Sequence, residues 1–362
     1  MNPMTRIARR LETVLSGRRS PSVRMVAMAA AVSLASAAPA AAQSFTFATN
    51  TAPNNLRGAA ETMFIEELSK ATNGEIEIIP YWGAALMSGN EILGGVRDGV
   101  ADLGFVNINY YPNELLINSS FNLFPKGPTK YEDIYAAFKS VYDSIPELEE
   151  EMARQGQRIV YIYGVTPYAG TFTEPVTSLS DFEGRRVRAS SRWYLNLLGG
   201  AGATPVSVPW GDLYQALQTG SIDGVFTNID GINRASLDEA APNVLIFDGL
   251  WLATPFLITM NEDKYQSLTD EQKAAFETAA TESSKKYAEA FDAEIARIIE
   301  AEKAAGYTVN HASEEDMNTF ANLPQVEENR QVWAKEAAAA GVENPESILE
   351  RVGAVVDEYA SK

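Results

Sequence analysis

The chain of 362 residues contains no cysteine and a single histidine, His311. The first absence excludes disulfides, thiol nucleophiles, Cys-ligated zinc, iron–sulfur clusters and a lipidated N-terminal cysteine. The second excludes any site built on two imidazoles. Positive charge is scarce as well, with Lys+Arg 29 against Asp+Glu 48. Such a surface repels nucleic acid and anionic lipid, because binding either depends on basic side chains neutralising phosphates. No apolar run reaches the roughly 20 residues that span a bilayer. What is present is ordinary globular composition, 46% hydrophobic, in a length that suits one large domain or two ordinary ones.

Catalytic signatures are missing too. There is no Gly-x-Ser-x-Gly elbow, no phosphate-binding loop and no His-Glu-x-x-His. Gly199-Gly200-Ala201-Gly202 reads as a helix end rather than a dinucleotide fingerprint. No spacing singles out a metal or a cofactor, and the expectation is a protein without either and without enzymatic activity. His311 stands beside Ser313-Glu314-Glu315-Asp316, which places it in an exposed turn before a helix.

Residues 1–24 carry Arg6, Arg9, Arg10, Arg18, Arg19 and Arg24 against one acid, Glu12. Met25–Ala38 is then uncharged and small-to-apolar, and Pro39-Ala40-Ala41-Ala42 closes the stretch. A basic region, a short apolar region and an Ala-x-Ala site describe a secretory signal peptide, cleaved after Ala42. The arginine pairs lack twin-arginine surroundings, so ordinary secretion to the periplasm is expected. Taking six arginines and one glutamate from the totals leaves 23 positive against 47 negative charges, a net charge of −24.

From residue 44 onward, strand and helix patterns alternate. Ser44–Thr49, Glu75–Pro80 and Ala101–Asn107 read as strands, and Leu56–Ala71 has helical apolar spacing. A helix over Tyr131–Arg154 precedes the strand Arg158–Tyr163. The pattern then restarts with Gly170–Thr173, Arg186–Ala189, the helix Arg192–Gly200, Ala203–Val208, the helix Gly211–Gly220 and Gly224–Thr227. Two successive α/β units imply two lobes, each with a mostly parallel sheet. The crossings fall near Ile162–Pro167 and Ala253–Met260. The expected division is 43–166 plus 257–292 for one lobe and 167–256 plus 293–362 for the other. Thr269-Asp270-Glu271-Gln272 forms a capping box. The apolar stripe after it runs to Gly306, a helix of roughly 50 Å. That helix fits a coiled-coil dimer or, in the reading preferred here, a span across both lobes.

One constellation stands out. Asp181-Phe182-Glu183-Gly184-Arg185-Arg186-Val187-Arg188 leads from a turn into a strand. Further on come Pro209-Trp210-Gly211-Asp212-Leu213-Tyr214-Gln215-Ala216-Leu217-Gln218-Thr219-Gly220 and Ser221-Ile222-Asp223-Gly224. Arg186 and Arg188 fall on one strand face, Val187 on the other. An arginine there can hold a carboxylate through two parallel hydrogen bonds, or simply pair with one of the many surface acids. Arg185 is expected to be exposed.

These segments resemble the solute-binding proteins of TRAP (tripartite ATP-independent periplasmic) transporters, the C4-dicarboxylate-receptor-like family. The resemblance rests on Gly202-Ala203-Thr204-Pro205, on Tyr214–Gly220 and on Asp98-Gly99-Val100-Ala101-Asp102. It implies a two-lobed periplasmic binding protein fold with hinge strands and a long helix across both lobes. It implies also a receptor that closes on an organic acid and delivers it to the TRAP membrane permease subunits. Arg188 would hold the ligand carboxylate, and Trp210 would line the pocket unless it is simply core. Thr227 stands where the family usually has an asparagine, with Asn228 beside it as a substitute. The second basic residue of the sialic acid receptors falls on Tyr168, which speaks against sialic acid. Asn50 and Asn107, at the ends of two first-lobe strands, are expected to face them. The rivals are a secreted α/β hydrolase with paired carboxylates and a binding protein for an ATP-driven importer.

Overall fold

The computed structural model describes residues 42–164, 167–251 and 254–361. The expected leader falls outside them except for Ala42, as do Val165, Thr166 and Ala253 of the two expected crossings.

The first lobe opens with β1 (Gln43–Ala48), α1 (Leu56–Ala71), β2 (Ile76–Tyr81), α2 (Ile92–Arg97) and β3 (Leu103–Asn107). Then come α3 (Tyr131–Ser144), α4 (Pro146–Arg154) and β4 (Gln157–Tyr163). The single helix expected over 131–154 is therefore two. Pro146 has no N–H to continue a helix, and its ring forces Ile145 out of helical geometry, to φ −125° and ψ 83°.

The second lobe contains β5 (Tyr168–Phe172), β6 (Arg186–Arg188), α5 (Arg192–Gly200), β7 (Thr204–Val206) and α6 (Leu213–Gln218). β8 (Gly224–Asn228), α7 (Ile229–Arg234), α8 (Leu237–Ala240) and β9 (Asn243–Phe247) complete that run. The chain then returns to the first sheet as β10 (Phe256–Asn261), followed by α9 (Glu262–Gln266) and α10 (Asp270–Ala304). It ends with β11 (Thr308–His311), α11 (Glu314–Ala321), α12 (Pro324–Ala339) and α13 (Pro345–Ala360).

Five strands form one sheet, in the order β2-β1-β3-β10-β4, and six form the other, β11-β9-β5-β8-β6-β7. Both sheets are mixed rather than mostly parallel. β10 runs antiparallel to β3 and β4, and β5 antiparallel to β8 and β9. These are the strands that receive the chain as it passes between sheets, so no helical crossover precedes them to enforce a parallel direction. His311 ends β11 in register with Ile246, so it belongs to a strand and not to a turn. Its Nδ1 lies 2.7 Å from Oδ2 of the exposed Asp248.

α10 begins with the expected box: Gln272 N–H donates to Thr269 Oγ1, and Thr269 N–H to Gln272 Oε1. It packs on α1, α3 and β4 of the first lobe and on α7 and β11 of the second, lying across both. Its buried face presents Phe276, Tyr287, Phe291, Ile295 and Ile298. The final helices also bridge, α12 against α5 and α13 against α3. Apolar side chains fill both faces of the sheets. Phe64, Tyr161, Val225 and Ile246 share one cluster with α10, and Phe138, Phe226, Phe247 and Trp333 share another.

Candidate ligand-binding cleft

The strand ends of both sheets converge on one cavity. Arg57, Asn107, Asn109, Tyr110 and Phe256 line it from the first lobe, with Thr254 on the connection. Tyr168, Arg188, Ser190, Trp210, Thr227 and Asn228 line it from the second. Little room remains between them: the cavity measures about 10 Å³, space for about one water and far below the roughly 300–1,000 Å³ usual for small-molecule sites, so the two walls are nearly in contact. No aspartate, glutamate or histidine is among the described lining residues.

Arg188 is the last residue of β6, a three-residue strand that pairs parallel to β7 and β8. At the start of that strand, Arg186 is held outside by Asp223, whose Oδ2 accepts its Nε–H at 2.9 Å. Val187 is in the core. Arg188 is 3% exposed. Its Nε donates to the Val208 carbonyl at 3.0 Å, but Nη1 is buried with no partner among the described residues. Burial pulls the guanidinium below the usual arginine range, against the hydroxyls of Tyr110 and Tyr168. Among the described residues no carboxylate acts on it. A buried cation with an unused donor is costly unless something anionic arrives.

Trp210 opens a short 3-10 turn before α6. Two guanidiniums lie over its ring, Arg188 at 5.8 Å and Arg234 at 4.5 Å from the centroid. Burial and the neighbouring Arg57 lower Arg234 to about 10. A Cβ on Gly231 would come within 3.1 Å of the Trp210 ring and 3.4 Å of Arg57 Nη2, so the missing side chain admits both.

Arg57 reaches the cavity from the first turn of α1. Asn55 caps that helix, accepting from Gly58 N–H at 3.0 Å. A Cβ on Gly58 would meet the Ala52 carbonyl at 2.1 Å, because residues 50–55 fold back on the helix start. Asp230 of α7 accepts Arg57 Nε–H at 2.7 Å, with side chains 5% and 3% exposed. Burial works against the Arg57 charge, but Asp230 more than offsets it and the net effect is upward.

Six of the seven side chains singled out in the sequence therefore line one cavity: Asn107, Tyr168, Arg188, Trp210, Thr227 and Asn228. Asn50 does not. The fold-back of residues 50–55 sets its side chain beside Gly89 and Tyr110 instead. Arg185 is half-buried rather than exposed. Its Nε donates to the Asp181 carbonyl at 2.6 Å and its Nη2 to Pro175 at 3.1 Å, so it staples the turn before β6. Sequence reasoning missed Arg57, Asn109, Tyr110, Ser190, Thr254 and Phe256. The signal for Arg57 was there: an arginine two residues after an Asn helix cap, near the end of a first-lobe strand.

Among the described residues no helix is long and apolar enough to cross a membrane, and no cluster of three or more metal-ligating side chains occurs. Two lobes, strands that cross between them and a polar cavity at the strand ends define a solute-binding protein. The sequence model of the bacterial extracellular solute-binding proteins, family 7, matches residues 47–337, and the chain belongs to that family. It is 30% identical over 208 residues to the ectoine-binding periplasmic protein of Halomonas elongata, covering 56% of this chain and 60% of that one. To the ectoine/5-hydroxyectoine-binding periplasmic protein of Ruegeria pomeroyi it is 25% identical over 288 residues, covering 78% and 83%. The chain thus spans less than two thirds of the first relative's length. Among solved structures, a marine metagenome TRAP solute-binding protein specific for aromatic acids, holding 3-hydroxybenzoate, matches with a TM-score of 0.76 at 22% identity. It covers 88% of this chain and 99% of that one. A TRAP solute-binding protein from Rhodoferax ferrireducens with benzoate matches at 0.78 and 18% identity, with the same coverage.

Proposed function

We propose that the protein is a periplasmic receptor that closes its two lobes on a small organic acid bearing a carboxylate and passes it to a TRAP-type membrane permease. The observation that carries this is Arg188, a buried guanidinium with an unpartnered Nη1 and no carboxylate of its own. Arg57 is the other cation on the cavity wall, and Asp230 already occupies it. Arg188 is the free guanidinium on the wall itself, and behind Trp210 the buried Arg234 also has an Nε without a partner among the described residues, so the site favours an anion. Trp210 and Tyr168 offer flat apolar surface to the rest of the ligand, and Asn107, Thr227 and Asn228 offer polar groups. Asn50 has at most an indirect part. The receptor is not an enzyme in this reading. A hydrolase with paired carboxylates needs acids at the cleft, and the described lining has none.

The relatives support the same reading, since their names record ectoine, hydroxyectoine and aromatic acids as ligands. A leader over residues 1–42 would bring the protein to the periplasm. The lobes divide as 43–166 plus 256–292 and 167–255 plus 293–362, the expected division shifted by one residue because Phe256 pairs within the first sheet. The test is a thermal-shift screen with benzoate, 3-hydroxybenzoate, pyroglutamate and ectoine, followed by calorimetry. A ligand at about 100 times its dissociation constant adds roughly 2.7 kcal/mol to stability, a shift of a few degrees. Stabilisation by an acid but not by its methyl ester is expected. Equal stabilisation by acid and ester would overturn the carboxylate reading.

A further inference from the structure

Three guanidiniums converge on the Trp210 corner of the cleft. Arg188 and Arg234 lie over its ring, and Arg57 stands close enough to Arg234 to depress its basicity. Arg57 belongs to the first lobe, the other two to the second. Bringing the lobes together therefore drives like charges into a space that sheds water, where their repulsion is weakly screened. Asp230, the residue after the first of α7, is the second-lobe carboxylate that meets Arg57. Its Oδ2 accepts Nε–H at 2.7 Å and its Oδ1 accepts Nη2–H at 3.4 Å. Among the described residues this is the ion pair that joins the lobes across the cleft. The neutral Asn109–Ser190 hydrogen bond, at 3.2 Å, joins them on the far side of the cavity.

We propose that Arg57 and Asp230 form a cross-cleft latch, a pair of positioning residues that meet only when the lobes close and that make closure permissible. The proposal rests on the receptor reading above. A buried ion pair seldom adds much net stability, but burying one partner without the other is expensive. Without Asp230, closing would bury Arg57 beside Arg188 and Arg234 with no counter-charge in the second lobe. With Asp230 present, the ligand carboxylate supplies the second negative charge. Anion binding and closure are then coupled through one charge balance. The Phe256 ring, on the same lobe, lies 4.5 Å from the Arg57 guanidinium carbon, a contact that does not depend on the second lobe. Besides Arg234, the titratable groups facing the pair are Tyr110, Tyr163 and Tyr287 from the first lobe and Tyr168 from the second.

The absence of native cysteine gives a clean experiment. Glu75→Cys and Gln218→Cys, exposed and one on each lobe, carry spin labels, and pulsed electron resonance reads the distance between them. Distances are measured without ligand and with benzoate, 3-hydroxybenzoate, pyroglutamate and ectoine in turn. The background is wild type, Asp230→Asn, Arg57→Lys or the swap Arg57→Asp with Asp230→Arg. The expected result is that Asp230→Asn depletes the short-distance population seen in wild type, while the melting temperature without ligand stays put. Affinity for whichever acid binds should fall by about 30-fold or more. Arg57→Lys should retain part of the short-distance population, and the swap should restore some of what Asp230→Asn loses. Identical distributions in wild type and Asp230→Asn, with and without the acids, would overturn the latch. So would a lower melting temperature in ligand-free Asp230→Asn with closure unchanged, since the pair would then be a permanent structural contact. A wild type that responds to none of the acids, but whose ligand-free short-distance population still depends on Asp230, would count against the receptor reading alone.

Discussion

The hydroxyl of Tyr163 donates to Oε1 of Glu61 at 2.8 Å, tying the last residue of β4 to the second turn of α1, the helix that carries Arg57. Burial lifts Glu61 to about 7, even though Tyr163 and Thr49 both donate to it. A carboxyl whose folded pKa exceeds its unfolded one holds its proton longer in the native state. Stability therefore falls as pH rises from about 4.5, the unfolded value, to about 7. Tyr163→Phe removes a donor that favours the charged form, so the fall should extend above pH 7 at the same slope, with a loss of about 1–3 kcal/mol at neutral pH. Glu61→Gln should flatten the same window. Melting curves from pH 4 to 9 check both.

Glu302, near the end of α10, is 1% exposed and neither of its carboxylate oxygens has a partner among the described residues. Burial, with the nearby Asp238, pushes it up to about 8. By the same sign argument it costs stability progressively between about pH 4.5 and pH 8, and the full cost is present above that. Glu302→Gln should raise the melting temperature at pH 8 and leave it unchanged at pH 4. Equal shifts at both pH values would contradict the assignment.

Arg188→Ala should weaken ligand binding by roughly 30-fold to several-thousand-fold, the range of about 2–5 kcal/mol for removing one partner of a buried charge pair. Arg188→Lys should recover only part, because an ammonium cannot present two parallel donors. Arg185 is unsuited as a control, since it bonds the carbonyls of the turn leading to β6. Arg297, exposed on α10 and, among the described residues, paired with Glu294, serves better. Calorimetry on the three variants separates the cases.

Trp210→Ala removes the ring that Arg188 and Arg234 both face. With cation–π contacts at about 0.5–2 kcal/mol each, affinity should drop by about tenfold or more. Trp210→Phe should stay within a few-fold of wild type. The change in tryptophan emission on ligand addition should vanish in Trp210→Phe although binding persists.

Local signals were legible in the sequence, and long-range pairings were not. Leu56–Ala71 and Arg192–Gly200 are helices within their expected bounds, and the Thr269 capping box starts α10 where the pattern placed it. Each is decided by side chains a few residues apart. β9 and β11 went unread because their pairing partners lie far along the chain. The family resemblance, not the spacing alone, led to Arg188 and Trp210. Arg57 acquires its place only when α7 brings Asp230 to it, 173 residues later. Asn50 was misplaced by assuming that the chain runs straight on from β1, whereas Gly58 lets it double back over α1.

The seat of β10 between β3 and β4 has a consequence for anyone who would cut the gene. Phe256 lies in register with Asn107 on one side and with Tyr163 on the other, so the middle of the first sheet waits for residues that follow most of the second lobe. A nascent chain that has delivered only residues 43–163 holds two bare strand edges, an invitation to pair with its neighbours. Such distant pairing also slows folding, because the intervening segment must be closed as a loop first. Neither half can be produced by truncation. A split or circularly permuted version has to carry residues 256–261 with the first half if it is to yield soluble material.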